Sequence, residues 1–440
     1  MNQPELPRKL GLLDSSSIVV GTVIGSSIFL VPNLVARNLP SPAMIVAVWT
    51  FTGVLTFLGA LALAELGAMM PSTGGVYVYL RESYGPLCGF LCGWTYFLVV
   101  LSGSDATLVV AFSIYLSYLV PLSPALAKLA AIGLLAVLTF ISYRGVAAGA
   151  AAQNLFTFLK ITGVAVLVGA AFLGPARSAE AWSASVSGFS LSHFGVAMIA
   201  CLQAYDGWYY VSFVAGEVRA PRRNLPLSLG LGMAAVVAVY VLANLAYLRV
   251  LSIGEIAGSE RVAAAAAERS MGPAGAGIVA LAVLLSIVGA INGGRITVPR
   301  VYFAQARDGL FFKRFGAVHP RFETPSFSIV VSGIWTAVLT LSGTYEQLYS
   351  YLIFAAAIFH GMAVVGVIML RRKYPDLPRP YKMWGYPVTP LLFAAISLWF
   401  VVNTIITTPG PSLAGLLLMA SGVPAYYYWR RKAALAAGNP

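Results

Sequence analysis

The sequence predicts an all-α membrane protein of about twelve spanning helices, and three observations carry that expectation. Of its 440 residues, 59% are hydrophobic and only 10% are charged, with a mean hydropathy of +0.82. A soluble domain carries roughly 25% charged residues. Apolar runs of ~20 residues, the length a helix needs to cross ~30 Å of hydrocarbon, recur along nearly the whole chain. Two of these runs, Gly21–Phe29 and Ala204–Tyr210, are interrupted part-way by glycine and small polar residues.

Taken in order, the spans are expected at 13–36, 43–69, 86–119, 125–144, 149–173, 192–216, 226–250, 274–299, 326–342, 347–370, 388–407 and 411–429. Met1–Lys9 is a short polar leader that runs straight into the first span, so neither a cleavable signal peptide nor a separate soluble domain is expected. Span 1 breaks at Gly25-Ser26-Ser27 and span 6 at Asp206-Gly207. Five spans separate the breaks, which suggests that residues 13–173 are repeated by 192–370, with two extra helices over 388–429. Because five is odd, the second copy enters the membrane from the opposite side and the repeat is inverted.

Charge sets the orientation. Of 28 Lys and Arg, nineteen fall at the termini and in the even-numbered connections. Six (Arg37, Lys128, Arg177, Arg249, Arg261 and Arg269) fall in the odd-numbered ones, and Lys160, Arg295 and Arg300 lie inside or at the edge of spans. The positive-inside rule then puts both termini in the cytoplasm, in a cell membrane crossed an even number of times. The formal charge of +13 is scattered over loop after loop and forms no single nucleic-acid footprint.

Backbone freed at membrane depth is tolerated only where it is buried in protein or lines a water-filled cavity. A pair of interrupted spans in corresponding positions of two halves marks the binding site of a transporter. At the first break, N–H groups without i−4 partners and the helix dipole favour an anion. Ser26 and Ser27 are placed to offer N–H groups, and their hydroxyls, to a carboxylate. At the second break the carbonyls of Gln203, Ala204 and Asp206 lose partners and become acceptors for an ammonium group; Val23 can add its own. The Asp206 carboxylate has two readings, a cap on the re-entering half-helix or a direct counter-ion for a cationic solute.

Lys160 lies near the centre of span 5. A charged lysine there costs ~2.5–3.5 kcal/mol on insertion scales, so it must face the interior and find partners. Arg295 in span 8 needs a carboxylate or carbonyl as well, with Asp105 and Glu65 as candidates. Asn292 is expected to line the site. Cys88, Cys92 and Cys201 all lie within spans and read as small buried hydrophobes, which leaves no external cysteine to link a partner subunit. His193, His319 and His360 are too scattered for a metal site. No nucleophile–base constellation, phosphate loop or metal spacing is present, so neither an enzyme nor a cofactor is expected. Repeated filter residues of a channel are absent too.

These segments resemble the amino acid–polyamine–organocation superfamily, in particular its L-amino-acid transporter branch with its bacterial relatives. Gly21–Pro32 resembles the first-helix motif. Ala64-Glu65-Leu66-Gly67 with Pro71–Tyr77 resembles the end of helix 2 and the loop after it. Glu217 with Pro221–Pro226 looks like the loop after helix 6. Asn292-Gly293, Pro299-Arg300, Ala306–Gly309, His319-Pro320 and Thr324-Pro325 look like helix 8 and its connection. Arg371–Lys373, Pro375–Tyr381 and Gly385–Pro387 look like the loop before helix 11.

The resemblance implies a five-plus-five inverted-repeat fold in which helices 1, 2, 6 and 7 rock against 3, 4, 8 and 9. It implies that Gly25, Ser26 and Ser27 hold the α-carboxylate of an amino acid. Lys160 would stand against the broken helix where sodium sits in sodium-driven relatives, which makes sodium-independent exchange of small neutral L-amino acids the expected activity. A second reading has Lys160 loading and releasing a proton, and an alternative substrate class is cationic amino acids or polyamines. The sequence departs from the family at Ser27, usually glycine, which predicts less room and a bias to small or polar substrates. Gln203 stands where many relatives have a gating aromatic, so Tyr205 and Trp208 take over the gate or Gln203 binds a polar side chain.

Overall fold

The structure is a computed structural model that describes residues 5–174, 190–342 and 345–436. Among these residues the chain is helical, and the one extended pairing is an isolated parallel bridge between Leu10 and Val218. Helices α1 (Leu12–Val23) and α2 (Ser27–Asn38) share the first apolar segment, followed by α3 (Pro42–Met69) and the short α4 (Val76–Tyr84). The third segment is α5 (Pro86–Thr95), a π turn at Tyr96–Val100, and α6 (Leu101–Leu119). Next come α7 (Pro124–Arg144), α8 (Val146–Leu173), α9 (Leu191–Ala204) and the single turn α10 (Tyr210–Phe213). The second half holds α11 (Pro221–Val250), the short α12 (Ile253–Gly258) and α13 (Val262–Met271), then α14 (Pro273–Thr297), α15 (Pro299–Arg307), α16 (Ser326–Ser342) and α17 (Tyr345–Lys373). The last helices are α18 (Val388–Thr407), α19 (Pro409–Ala420) and α20 (Gly422–Ala436).

Every segment expected to span is therefore helical. Among the described residues eight helices are individually long and apolar enough to cross a membrane, or nine with the bent α1–α2 pair taken as one span; α9 and α16 are apolar but shorter. The segment expected as one span over 411–429 is divided at Ser421 between α19 and α20. Gly422 and Pro424 stand at this joint, and proline supplies no N–H to continue the ladder of α19. Gly422 also sits tight against Leu91 and Trp94 of α5, where a Cβ would come within 2.8 Å of Leu91.

Helical periodicity explains the layering. Along α8 the buried residues Gln153, Thr157, Lys160, Val164, Leu167 and Ala171 recur every three or four positions, while Leu155, Phe158, Ile161 and Val166 point outward. The polar stripe of α8 thus faces the bundle and its apolar side is left for lipid. α14 packs against that stripe and against α1. Small residues let membrane helices approach closely, and two glycines do so here. A Cβ on Gly289 would meet Lys160 Nζ at 3.1 Å, and one on Gly293 would meet the Thr22 methyl at 2.4 Å.

One end of the bundle is tied together by polar contacts. Lys9 and Leu10 donate to the Glu217 carbonyl at 2.9 and 3.0 Å, and Arg219 N–H donates to Leu10 O at 2.8 Å. Arg300 grips Glu217 in two parallel bonds of 2.7 and 3.0 Å, with both side chains fully buried. Gly74 N–H bonds to Phe213 O at 2.9 Å. Arg371 makes a second bidentate pair with Glu65, 2.7 Å on each arm. Glu65 also accepts from Met383 N–H at 2.8 Å, which pins the loop before α18 to the end of α3.

Candidate functional site

The first break begins at Ile24, whose ψ of 87° leaves the helical range. Gly25 N–H turns back to Val23 O at 2.8 Å, α2 starts again from Ser26, and the two helix axes meet at a bend of 43°. The N–H groups of Ser26 and Ser27 meet no acceptor among the described residues. They form the open N-terminus of α2, with the partial positive charge that such an end carries.

The second break runs from Tyr205 to Tyr209. Gly207 adopts φ +103°, a left-handed conformation, and its Cα lies so close to α1 that a Cβ would come within 2.9 Å of Thr22 O. Gln203 O accepts Asp206 N–H at 3.2 Å, whereas the Tyr205 and Asp206 carbonyls receive no donor among the described residues. The half-helix re-enters at Tyr210 with Tyr209 as its N-cap, whose own side chain makes no capping bond.

Two hydroxyls join the breaks. Thr22 Oγ1 lies 3.0 Å from Gly207 O and 2.7 Å from Ile18 O of its own helix. Tyr240 Oη lies 2.9 Å from both Val23 O and Ala204 O. A hydroxyl carries one proton, so it serves these two carbonyls alternately.

Lys160 sits beneath the first break, 1% exposed. Its Nζ donates to Gly21 O at 2.8 Å, Ile24 O at 2.6 Å and Ser286 O at 3.1 Å, which uses all three ammonium protons. Ser286 Oγ lies 2.9 Å from Ile24 O and 3.0 Å from Gly25 O. A cation and a hydroxyl thus satisfy the carbonyls at the C-terminal end of α1, where the helix dipole is negative.

Between the breaks lies a cavity of about 160 Å³, room for a compact solute. Val23, Gly25, Ser26, Ser27, Gln203, Asp206 and Trp208 line it, all of them anticipated from the sequence. Three anticipated residues, Tyr205, Asn292 and Ala204, lie behind its wall. Tyr205, expected as a gate, is fully buried, with its hydroxyl donating to Trp49 O at 3.1 Å and its ring 4.9 Å from that of Tyr240. Asn292, expected to line the site, instead donates to Gly149 O at 3.1 Å and Gln153 Oε1 at 2.8 Å, joining α14 to α8. Ala204 contributes to the second break through the carbonyl that Tyr240 meets. Arg295 pairs with Asp105, one of its two candidates, and reaches Ser332 and Thr336 of α16 at 3.4 and 3.3 Å.

Sequence reading missed Thr22, Tyr240, Ser286 and His360. A serine, threonine, tyrosine or histidine inside an apolar run raises little alarm, because a helix can absorb a hydroxyl on its own carbonyls, as Thr22 also does with Ile18 O at 2.7 Å. Among the described residues no group of His, Cys, Asp and Glu could hold a metal ion.

Unwound backbone from two helices, facing one cavity inside an apolar helical bundle, defines a multi-pass membrane transporter and not an enzyme. The chain belongs to the amino acid permease family, whose sequence profile matches residues 10–426, within the amino acid–polyamine–organocation superfamily. It is 33% identical to the cystine/glutamate transporter of Homo sapiens over 446 residues, covering 97% of this chain and 87% of that protein. It is 34% identical to the b(0,+)-type amino acid transporter 1 of Homo sapiens, covering 96% and 88%. It is 33% identical to the large neutral amino acids transporter small subunit 2 of Mus musculus, covering 97% and 82%.

Proposed function

We propose that this permease carries small neutral L-amino acids across the cytoplasmic membrane, independently of sodium, by exchange through alternating access. The N–H groups of Ser26 and Ser27 take the α-carboxylate. The ammonium group sits toward the open carbonyl of Asp206 at the second break. Gln203 and Trp208 close over the bound solute, with Tyr205 bracing them from behind. Lys160 occupies the place of a coupling metal ion and holds the broken end of α1 in shape. Both termini are cytoplasmic, the basic end tied by Glu217–Arg300 is the cytoplasmic face, and residues 13–173 are repeated by 192–370. No disulfide-linked partner subunit is required, because all three cysteines lie inside helices.

The observation that supports this most strongly is the meeting of an open N–H end at Ser26 and Ser27 with the unwound backbone and carboxylate of Asp206 across one cavity, a geometry that suits a zwitterion. The test is uptake of labelled L-alanine, L-serine and L-leucine by proteoliposomes, with and without internal amino acid and with sodium replaced by choline. Uptake that is stimulated by internal substrate and indifferent to sodium is expected. Uptake that needs sodium, or a wild-type protein that moves none of the three, overturns the reading.

One observation favours a second substrate class: Asp206, a carboxylate, lines the cavity. Uptake of L-lysine or putrescine that exceeds alanine uptake, and is lost in Asp206→Asn, would make the cationic reading the correct one.

A further inference from the structure

His360 of α17 lines the same cavity and is 7% exposed. Its Nε2 lies 3.0 Å from Tyr96 Oη in the π turn of the third span. Its ring packs 3.8 Å from the Tyr209 ring and 5.8 Å from that of Trp208, centroid to centroid, both residues of the second break. Three neighbours therefore fix the ring plane and turn the Nε2 edge into the protein. The opposite edge is not enclosed: Nδ1 meets no hydrogen-bond partner among the described residues, and it is not one of the buried orphaned atoms. It faces the cavity.

The Tyr96 contact favours one tautomer of the ring over the other. A phenol is a better donor than a neutral imidazole, and an imidazole nitrogen a better acceptor than a phenol oxygen. On that ground Tyr96 O–H is assigned as the donor to Nε2, which puts the proton of the neutral ring on Nδ1, on the cavity side. The rest of this wall is small or apolar, with Ala356, Ala357 and Phe393 beside Ser397. Asp206 on the same cavity disfavours an anionic side chain.

We propose that His360 reads the substrate's side chain and selects neutral side chains that carry a hydrogen-bond acceptor over apolar ones of the same shape. This rests on the amino acid reading above and narrows it to residues such as threonine and asparagine. A site built around a buried donor rejects an isostere that leaves the donor unpaired far more strongly than an apolar pocket rejects a changed methyl.

Two isosteric pairs test it: L-threonine against L-valine, and L-asparagine against L-leucine, each as kcat/KM in proteoliposomes. Wild type should favour the polar member by at least about tenfold in each pair. In His360→Leu the ratios fall to about one. His360→Gln keeps an acceptor, its amide oxygen, for the Tyr96 hydroxyl but leaves the cavity edge empty, and should fall likewise. His360→Asn places an amide nitrogen at the Nδ1 position and should recover most of the preference. Should His360→Leu fail to give monodisperse protein, the Gln and Asn variants decide alone. Ratios unchanged in His360→Gln, or recovered equally by Gln and Asn, would reduce the ring to a packing role and overturn the proposal. A wild type that carries valine and leucine as well as their partners overturns it while leaving amino acid transport standing. A wild type that carries none of the four but does carry lysine or putrescine overturns both.

Discussion

Lys160 Nζ donates at 2.6 Å to the carbonyl of Ile24, the residue at which α1 stops being a helix. The same ammonium holds Gly21 O one turn earlier and Ser286 O across on α14. It therefore clamps the broken end of α1 to α14. Lys160→Ala leaves those carbonyls without their donor. Uptake should fall at least ~100-fold, the cost of two charge-assisted hydrogen bonds at ~1.5 kcal/mol each. The variant should still purify as a monodisperse protein, because alanine is a good helix former. If Lys160 replaces a coupling ion, choline for sodium changes nothing in wild type. Flux at the wild-type level in Lys160→Ala would remove the residue from the mechanism.

Ser27 lines the cavity at the start of α2, next to the open N–H groups. Its Cβ and hydroxyl take up space at the point of closest backbone approach. Ser27→Gly should therefore admit bulkier side chains, raising L-leucine and L-phenylalanine uptake relative to L-alanine by several-fold, about the discrimination that one or two methylene-sized groups confer. A competition profile identical to wild type would show that side-chain size is set elsewhere.

Arg295 and Asp105 form an ion pair with Ser332 and Thr336 around it, joining α14, α6 and α16 deep in the bundle. Removing one member leaves the other charge buried and uncompensated, which costs ~3–5 kcal/mol. Asp105→Ala and Arg295→Ala should each lower the thermal midpoint in detergent markedly. The double variant Asp105→Leu with Arg295→Met should recover most of the loss, because an apolar pair of similar volume needs no partner. A double variant as unstable as the singles would show that the pair is not an isolated unit.

How far the sequence could be read follows from the same residues. A charge inside an apolar run announces itself, so Lys160, Arg295 and Asp105 were recognisable as interior groups before any coordinates. The carboxylate Arg295 would choose was not, since Asp105 and Glu65 differ only in how α6 and α3 lie beside α14. Glu65 turns out to be held by Arg371 instead. The two breaks were legible because glycine and serine clusters disagree with the helix around them. Tyr205 and Asn292 read as cavity residues because polarity in a span signals the interior. Polarity does not distinguish a cavity from a helix–helix seam, and both residues serve seams. His360 and Tyr240 carried no signal at all, since their importance comes entirely from what stands opposite them.

The buried Glu217–Arg300 pair bears on how the carrier opens. Glu217 follows α10, beyond the second break, and its backbone carbonyl also receives the Lys9 and Leu10 N–H groups. One residue thus fastens the chain's start, the re-entering part of span 6 and α15. Glu217→Gln preserves shape but strips the counter-charge from Arg300, which has no exposed surface through which to regain water. Losing that pairing should favour forms in which this end is open, and a change of a few kcal/mol is enough to invert a two-state population. Val218 reports on it directly, since it is fully buried and bridges Leu10. In a background with Cys88, Cys92 and Cys201 replaced, Val218→Cys should be nearly inert to a membrane-impermeant maleimide. Adding Glu217→Gln should raise its labelling rate at least tenfold from the basic face and not from the other. Equal rates with and without Glu217→Gln would show that backbone pairing alone keeps this end shut.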